Sequence, residues 1–172
     1  LKYFENNIVE YCYTDLSKAF LMHAEKNYSP VASYLKTEIF DVEKAIAEQG
    51  LKGDYFDIVI ATNVLHATKD IRKTLRNAKA AMRRGGVLFL NELSAKSLYT
   101  HITFGMTEGW WLYEDADLRI PGSPGLYPET WERILQEEGF LWSSFPAQEQ
   151  HALGQQIIVA QSDGVVRQND SS

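Results

Sequence analysis

His66 and Glu92 are the two residues whose types and settings suit acid–base chemistry. His66 follows the apolar run FDIVIATN (56–63) in the segment Asn63-Val64-Leu65-His66, and Glu92 closes the run GGVLFLNEL (85–93) as part of Asn91-Glu92. If the two runs are neighbouring strands, His66 and Glu92 share one edge of a sheet. A histidine beside a carboxylate is a general base with an orienting partner, which fixes the imidazole tautomer and stabilises the imidazolium once it forms. Taken alone, His66 reads equally well as a structural histidine at a helix start. Glu92 is harder to explain that way, because a carboxylate at the end of a buried strand needs a partner or water. Two further acids stand at strand ends, Asp15 after IVEYCYT and Asp41 after YLKTEIF. A carboxylate accepts two hydrogen bonds, which suits a ribose diol at Asp15 and an adenine amino group at Asp41. Each also reads as a helix cap. The pair carries more information than either acid alone.

The elements that must position these residues alternate in type. Strands are expected over 8–15, 34–41, 56–63 and 85–93, the last two as apolar runs buried on both faces. Helices are expected over 17–28, on a short stretch from Asp41 to Gly50, and over 68–84. The first has Phe20, Leu21, Ala24 and Tyr28 at helical spacing. The last has Thr68 as its cap, Ile71, Leu75, Ala78 and Met82 on one face, and Gly85-Gly86 as its stop. Residues 94–127 break the pattern with aromatic residues, Gly and Pro, as a lid or substrate segment would. A helix from Pro128 to Gly139 and two strands near 141–146 and 154–161 complete the domain. The expected fold is therefore α/β, a mostly parallel sheet with helices on both faces and a C-terminal antiparallel strand pair. Ligands of such sheets bind at the carboxyl ends of the strands, where Asp15, Asp41, Asn63 and Glu92 stand.

Composition narrows the class. The 172 residues are 45% hydrophobic and 23% charged, the balance of one globular domain. We read residues 1–160 as that domain and 161–172 as a polar tail. Cys12 is the one cysteine, so neither an intrachain disulfide nor a cysteine metal cluster can form, and no metal is expected. Cysteine usage suits a reducing cytoplasm. There is no apolar run of the ~20 residues that span a bilayer, no signal-peptide pattern, and no membrane association is expected. A net charge of −6 argues against nucleic-acid binding. The stretch 69–84 nevertheless holds seven basic residues against Asp70 alone, either a solvated helix face or a docking face for an acidic partner.

The run DYFDIVIATNVLHATKDIRKTLRNAKAAMRRGGVLFLNEL (54–93) resembles the core of the C-methyltransferase domains of polyketide synthases, which are class I S-adenosylmethionine-dependent methyltransferases. N-V-L-H-A-T (63–68), R-x-T-L-R-N (72–77), the Gly-Gly turn, the N-E strand end, G-W-W-L (109–112), Y-T-D-L-S (13–17) and F-D-V-E (40–43) all fit, over about residues 8–160. The resemblance implies a Rossmann-like sheet. It implies cofactor contacts from Asp15 and Leu16 at the ribose, Asp41 and Val42 at the adenine, and Asn63 near the methionine part. It implies a catalytic His66–Glu92 dyad that removes the α-proton of a β-ketoacyl thioester. That substrate would be carried on the phosphopantetheine of an acyl carrier protein, beside the other domains of a synthase. Phe104, Trp110, Trp111 and Tyr127 could wall the acyl channel or simply pack the lid. His23, His101 and His151 are expected to be structural or exposed.

The sequence departs from the family at its start, since the glycine-rich strand–loop–helix unit of class I methyltransferases is not found before Ile8. The expected consequences are a fragment of a larger synthase, a remnant without cofactor, or a sheet closed by another route. In that last case the Asp15 and Asn63 strands would pair directly, or a second chain would fill the gap. A nucleotide-dependent oxidoreductase on a similar sheet and a non-catalytic module that binds a carrier protein through the basic helix are the competing readings.

Overall fold

In the computed structural model, which describes residues 5–167, the chain forms two compact units, Leu1–Leu51 and Lys52–Ser172. The strands fall into two sheets, one in each unit.

The first unit is a strand–helix–strand unit. β1 (Tyr11–Asp15) and β2 (Leu35–Ile39) are parallel, with Asp15 opposite Ile39, and α1 (Lys18–Tyr28) connects them. Of the four apolar residues expected to face inward on α1, Leu21 and Ala24 are buried, whereas Phe20 and Tyr28 are exposed. The short helix expected after Asp41 is reduced to one 3-10 turn, Ile46–Glu48. The cause is Gln49. Its Oε1 accepts from the Asp41 N–H, and its Nε2 donates to the carbonyls of Asp41, Lys44 and Ala45. The three carbonyls are backbone groups that a helix would have used.

The second unit is built on a four-stranded sheet in the order β3-β4-β6-β5. β3 (Phe56–Thr62) runs parallel to β4 (Met82–Leu93), as expected from the crossover helix between them, α2 (Ile71–Ala81). The remaining elements are α3 (Leu98–Thr103), α4 (Pro128–Glu137), β5 (Phe140–Ser144) and β6 (Gln155–Ser162). β6 pairs antiparallel with both β4 and β5. The alternate residues Leu88, Leu90 and Glu92 of β4 are buried, and opposite them on β6 stand the buried Ala160, Ile158 and Gln156. Glu92 therefore belongs to the inward stripe of a central strand. Neither apolar run is buried on both faces: Ile58 and Ile60 are exposed on β3, an edge strand, and Phe89 is exposed on β4.

Two local readings change. α2 is capped by Asp70, whose carboxylate accepts from the Lys73 N–H, while Thr68 turns inward and donates to the Leu65 carbonyl. Gly85-Gly86 lies inside β4 and does not stop the helix, which already passes into strand at Met82. The pair sits where the register jumps from Phe56↔Met82 to Ile58↔Val87. Gly85 takes φ of 77°, and a Cβ on Gly86 would lie 2.9 Å from the Arg83 carbonyl oxygen, so the bulge demands both glycines.

The basic stretch is also corrected. Arg76 makes a two-pronged pair with buried Glu138, Nε to Oε2 at 2.7 Å and Nη2 to Oε1 at 2.8 Å, and Arg72 reaches both Glu137 and Glu138. Lys79, one charge on the apolar face of α2, is 1% exposed. Its Nζ donates to the carbonyls of Glu138 (2.6 Å) and Gly139 (3.0 Å) and pairs with Asp163 at 2.5 Å. Three of the seven basic residues are thus tied to α4 and to the chain after β6. The boundary expected at 160/161 falls within β6, and Asp163 and Arg167 pair with each other beyond it. The rest of the expected tail, 168–172, lies outside the described residues.

Candidate active site

β3 and β4 end side by side, with Thr62 opposite Asn91. Beyond Thr62 the chain turns sharply. Asn63 adopts φ of 52°, a left-handed conformation that Asn tolerates better than most residues, and its N–H donates to the Asn91 carbonyl at 2.7 Å. A 3-10 turn, Leu65–Ala67, follows and wraps the Glu92 carboxylate. Oε1 accepts from the N–H groups of Val64 (3.2 Å) and Leu65 (2.9 Å). Oε2 faces the His66 N–H at 3.4 Å and His66 Nδ1 at 2.5 Å. Glu92 is 0% exposed and His66 5%. A carboxylate surrounded by donors requires the Nδ1–H tautomer of His66 and leaves Nε2 with a lone pair. This is the arrangement of an oriented general base. The strand-end adjacency expected from the sequence is realised, and the buried carboxylate has its partners.

The His66 backbone is held as firmly as its ring. Arg119, 4% exposed, donates from Nη1 to the carbonyls of His66 (2.9 Å) and Pro124 (2.9 Å), and from Nη2 to the Thr68 carbonyl (3.1 Å). Its charge is met by Asp115, which also accepts from the Ile71 N–H at the start of α2. Arg119 stitches the irregular segment to the turn that carries His66. It lies in a stretch with no periodicity, so no sequence signal marked it. Lys79 did carry one, a charge on the apolar stripe of α2.

A cavity of about 260 Å³ opens beside the dyad, lined among others by Asn63, His66, Thr100, Phe104, Trp110 and Gln155. Of the expected site residues the structure thus brings Asn63, His66, Phe104 and Trp110 to one cavity, with Glu92 behind His66. Trp111 and Tyr127 are not in its wall. Trp111 is half exposed, its Nε1 donating to the Gly105 carbonyl, and Tyr127 serves as the N-cap residue of α4. Gln155 and Thr100 join the wall unanticipated, brought there by the β4–β6 register and by α3. His101 is structural, with ring nitrogens against the carbonyls of Ser97 and Gly122 and its ring edge-on to Trp110 and Trp111.

Asp15, Leu16, Asp41 and Val42 belong to the first unit. Asp15 ends β1, one carboxylate oxygen accepting from the Ser17 N–H at 2.7 Å. Leu16 is exposed beside it. Asp41 follows β2 and behaves locally as a cap, accepting from the Glu43 N–H and pairing with Lys44 at 3.0 Å. Val42 is half-buried in the same turn. Among the described residues no cluster of three or more His, Cys, Asp or Glu could hold a metal ion, and no helix is long and apolar enough to cross a membrane.

Comparison with known proteins places this geometry. A family model described as a methyltransferase domain matches residues 1–88. The polyketide synthase PksR of Bacillus subtilis is 60% identical over 168 residues, covering 98% of this chain and 7% of its own length. The polyketide synthase ThaQ of Burkholderia thailandensis is 48% identical over 157 residues, covering 91% of the chain and 8% of ThaQ. The chain therefore spans only a small part of these relatives. Among solved structures, the DszA carbon methyltransferase superposes with a TM-score of 0.88 at 35% identity, over 96% of this chain and 44% of that one. The trans-methyltransferase CalH, solved in complex with SAH, does so with a TM-score of 0.75 at 30% identity, over 89% of this chain and 42% of CalH. A buried histidine–glutamate pair at the end of the third strand stands on a fold shared with carbon methyltransferases, in a chain similar to parts of polyketide synthases, and the family model settles the assignment: the chain belongs to the methyltransferase domain family, with a class I methyltransferase fold.

Proposed function

We propose that this domain methylates the α-carbon of a β-ketoacyl thioester carried on the phosphopantetheine of an acyl carrier protein, during polyketide biosynthesis in the cytoplasm and alongside other domains of a synthase. The observation that carries this reading is the His66–Glu92 dyad, whose Nε2 is left as acceptor beside a cavity. A carbon between two carbonyls is acidic enough for an imidazole base, whose unperturbed pKa is ~6.5. His66 Nε2 takes the α-proton, and the electron pair of the broken C–H bond moves into the enolate. Glu92 accepts from Nδ1–H throughout and stabilises the imidazolium that results. Phe104 and Trp110 wall the reacting carbon from water, so that the bound pair is held in reacting geometry.

The chain's acids fit the cofactor chemically. Asp15 has one oxygen engaged by Ser17 and the other without a protein partner among the described residues, an acceptor suited to ribose hydroxyls. Asp41 accepts from the Glu43 N–H and pairs with Lys44, and a carboxylate in such a turn is of the type that accepts from an adenine amino group. Leu16 and Val42 would supply apolar contacts beside them, and Asn63 would meet the methionine part. When bound, S-adenosylmethionine supplies the sulfonium-activated methyl that the enolate carbon takes up.

The test is methyl transfer to a β-ketoacyl carrier substrate by the full-length protein and its His66→Ala variant. Loss of transfer in the variant, with SAH affinity retained, is expected. Full activity without the imidazole would refute the dyad assignment.

A further inference from the structure

The buried Arg119 spends its five N–H donors on five hydrogen bonds. Nη1 is shared between the carbonyls of His66 and Pro124, and Nη2 between the Thr68 carbonyl and Asp115 Oδ2. Nε meets Asp115 Oδ1 at 2.5 Å. Asp115 Oδ2 accepts in turn from the Ile71 N–H at 2.8 Å. A buried polar network with every donor engaged is rigid, and it fixes the groups it binds. Two of the carbonyls on Arg119, those of His66 and Thr68, lie on the turn that carries the base and at its C-terminal cap.

That turn cannot hold its own shape. Leu65–Ala67 is a single 3-10 turn, closed by the bond from the Ala67 N–H to the Val64 carbonyl at 3.1 Å. One hydrogen bond does not repay the dihedral freedom that a helical turn gives up. The geometry is therefore set from outside. Glu92 takes the N–H groups of Val64, Leu65 and His66, and Arg119 takes the carbonyls of His66 and Thr68. The backbone is gripped by an anion on its N–H side and by a cation on its carbonyl side. The peptide that follows His66 is fixed at both ends, its N–H on Val64 and its carbonyl on Arg119. We propose that Arg119, oriented by Asp115, is a positioning residue for the His66 base: it fixes the carbonyl side of the 65–67 turn and so keeps His66 Nε2 in reacting position. This rests on the β-ketoacyl reading above. Arg119 is not in the cavity wall, so it acts through His66 and not on the substrate. The irregular segment, expected as a lid or substrate segment, thereby supplies a brace for the base, and proton removal requires that brace to be seated on the turn.

The test uses the full-length protein with two substitutions. Arg119→Lys keeps a charge for Asp115, but one ammonium cannot fork to three carbonyls. Arg119→Ala is assayed with and without added ethylguanidinium, against sodium chloride of equal ionic strength. Methyl transfer to a carrier-bound β-ketoacyl thioester, exchange of its α-hydrogen from D2O without methyl donor, and SAH affinity by calorimetry are measured. Loss of about 100-fold in kcat is expected in both variants, the scale of a misplacement of about 1 Å at a reacting group. KM and SAH affinity stay nearly unchanged, exchange falls in parallel with kcat, and ethylguanidinium restores part of the Arg119→Ala rate. A wild-type kcat in Arg119→Lys overturns the role of the fork while the methylation reading stands. Loss of SAH binding in both variants also overturns it, since Arg119 would then hold the whole domain and not the base. Neither exchange nor methylation of this substrate by the wild-type protein would overturn both readings.

Discussion

Glu92→Gln separates the shape of the dyad from its chemistry. Glutamine matches glutamate in volume but has one acceptor oxygen in place of two. At Oε1 the native side chain accepts from two backbone N–H groups, at 2.9 and 3.2 Å. At Oε2 it meets His66 Nδ1 at 2.5 Å and a long backbone contact of 3.4 Å. The amide oxygen keeps most bonds by occupying the Oε1 place, which turns its NH2 toward His66 Nδ1. Two donors cannot face each other, so the imidazole moves its proton to Nε2 and accepts at Nδ1. The fold survives and the base is lost. A positioned general base contributes ~10²–10⁴ in rate, which corresponds to ~2.7–5.5 kcal/mol of activation free energy. The one backbone contact given up costs about 1 kcal/mol of stability, a fall of roughly 2–4 °C in melting temperature for a chain of this size. The assay is methyl transfer to a β-ketoacyl carrier substrate followed by mass spectrometry, with a thermal melt on the same samples. Glu92→Ala is less informative, since it strands buried backbone N–H groups at about 1–3 kcal/mol each and threatens the fold. If Glu92→Gln retains activity within about three-fold of wild type, a loss far below what a general base supplies, Glu92 does not set the tautomer.

Other consequences concern the ion pairs and the cofactor acids. Burial pushes the Asp163 carboxyl up, but hydrogen bonds from Lys79, the Val165 N–H and Arg167 more than offset it and hold it below its ordinary value. A carboxyl lowered in the folded state stabilises at pH above its unfolded value of ~3.9 and loses that contribution as pH falls through the lower folded value. Asp163→Asn should therefore melt below wild type at neutral pH, with the gap closing in acid; a gap constant from neutral pH down into strong acid would mean the pair contributes nothing. Burial lowers Lys79 as well, so its contribution has the same sign of pH dependence in a different window, stability rising with pH between its folded value and ~10.4. Arg76→Glu sets a second carboxylate against buried Glu138 and should cost about 3–5 kcal/mol in urea unfolding; unchanged stability would mean that the Arg76–Glu138 pair does not hold α2 to α4. Asp15→Ala should weaken S-adenosylmethionine binding by roughly 10-fold or more, the value of a hydrogen bond to a charged group. Calorimetry giving equal affinity would remove Asp15 from the cofactor site.

The order and type of the strands and of α1, α2 and α4 were legible in the sequence, because period-2 and period-3.6 patterning reports burial directly along the chain; α3 was not, lying in a segment without periodicity. The adjacency of His66 and Glu92 was legible from the ends of two apolar runs, because a carboxylate at the end of a buried strand needs a partner. Local contests between side chain and backbone were decided by the folded chain. Gln49 took the backbone groups of a short helix, and Thr68 yielded the cap to Asp70. The tertiary structure alone decided what depends on residues far apart in sequence. It turned Arg72, Arg76 and Lys79 from an apparent basic face into ties to Glu137, Glu138 and Asp163. It admitted Trp110 to the cavity and left Trp111 half exposed, although the two are adjacent and identical in type. It brought Arg119 from an unpatterned segment onto the His66 carbonyl. Composition and spacing state which chemistry a chain could perform. Which side chain meets which is fixed by packing between segments, and that information is not local in the sequence.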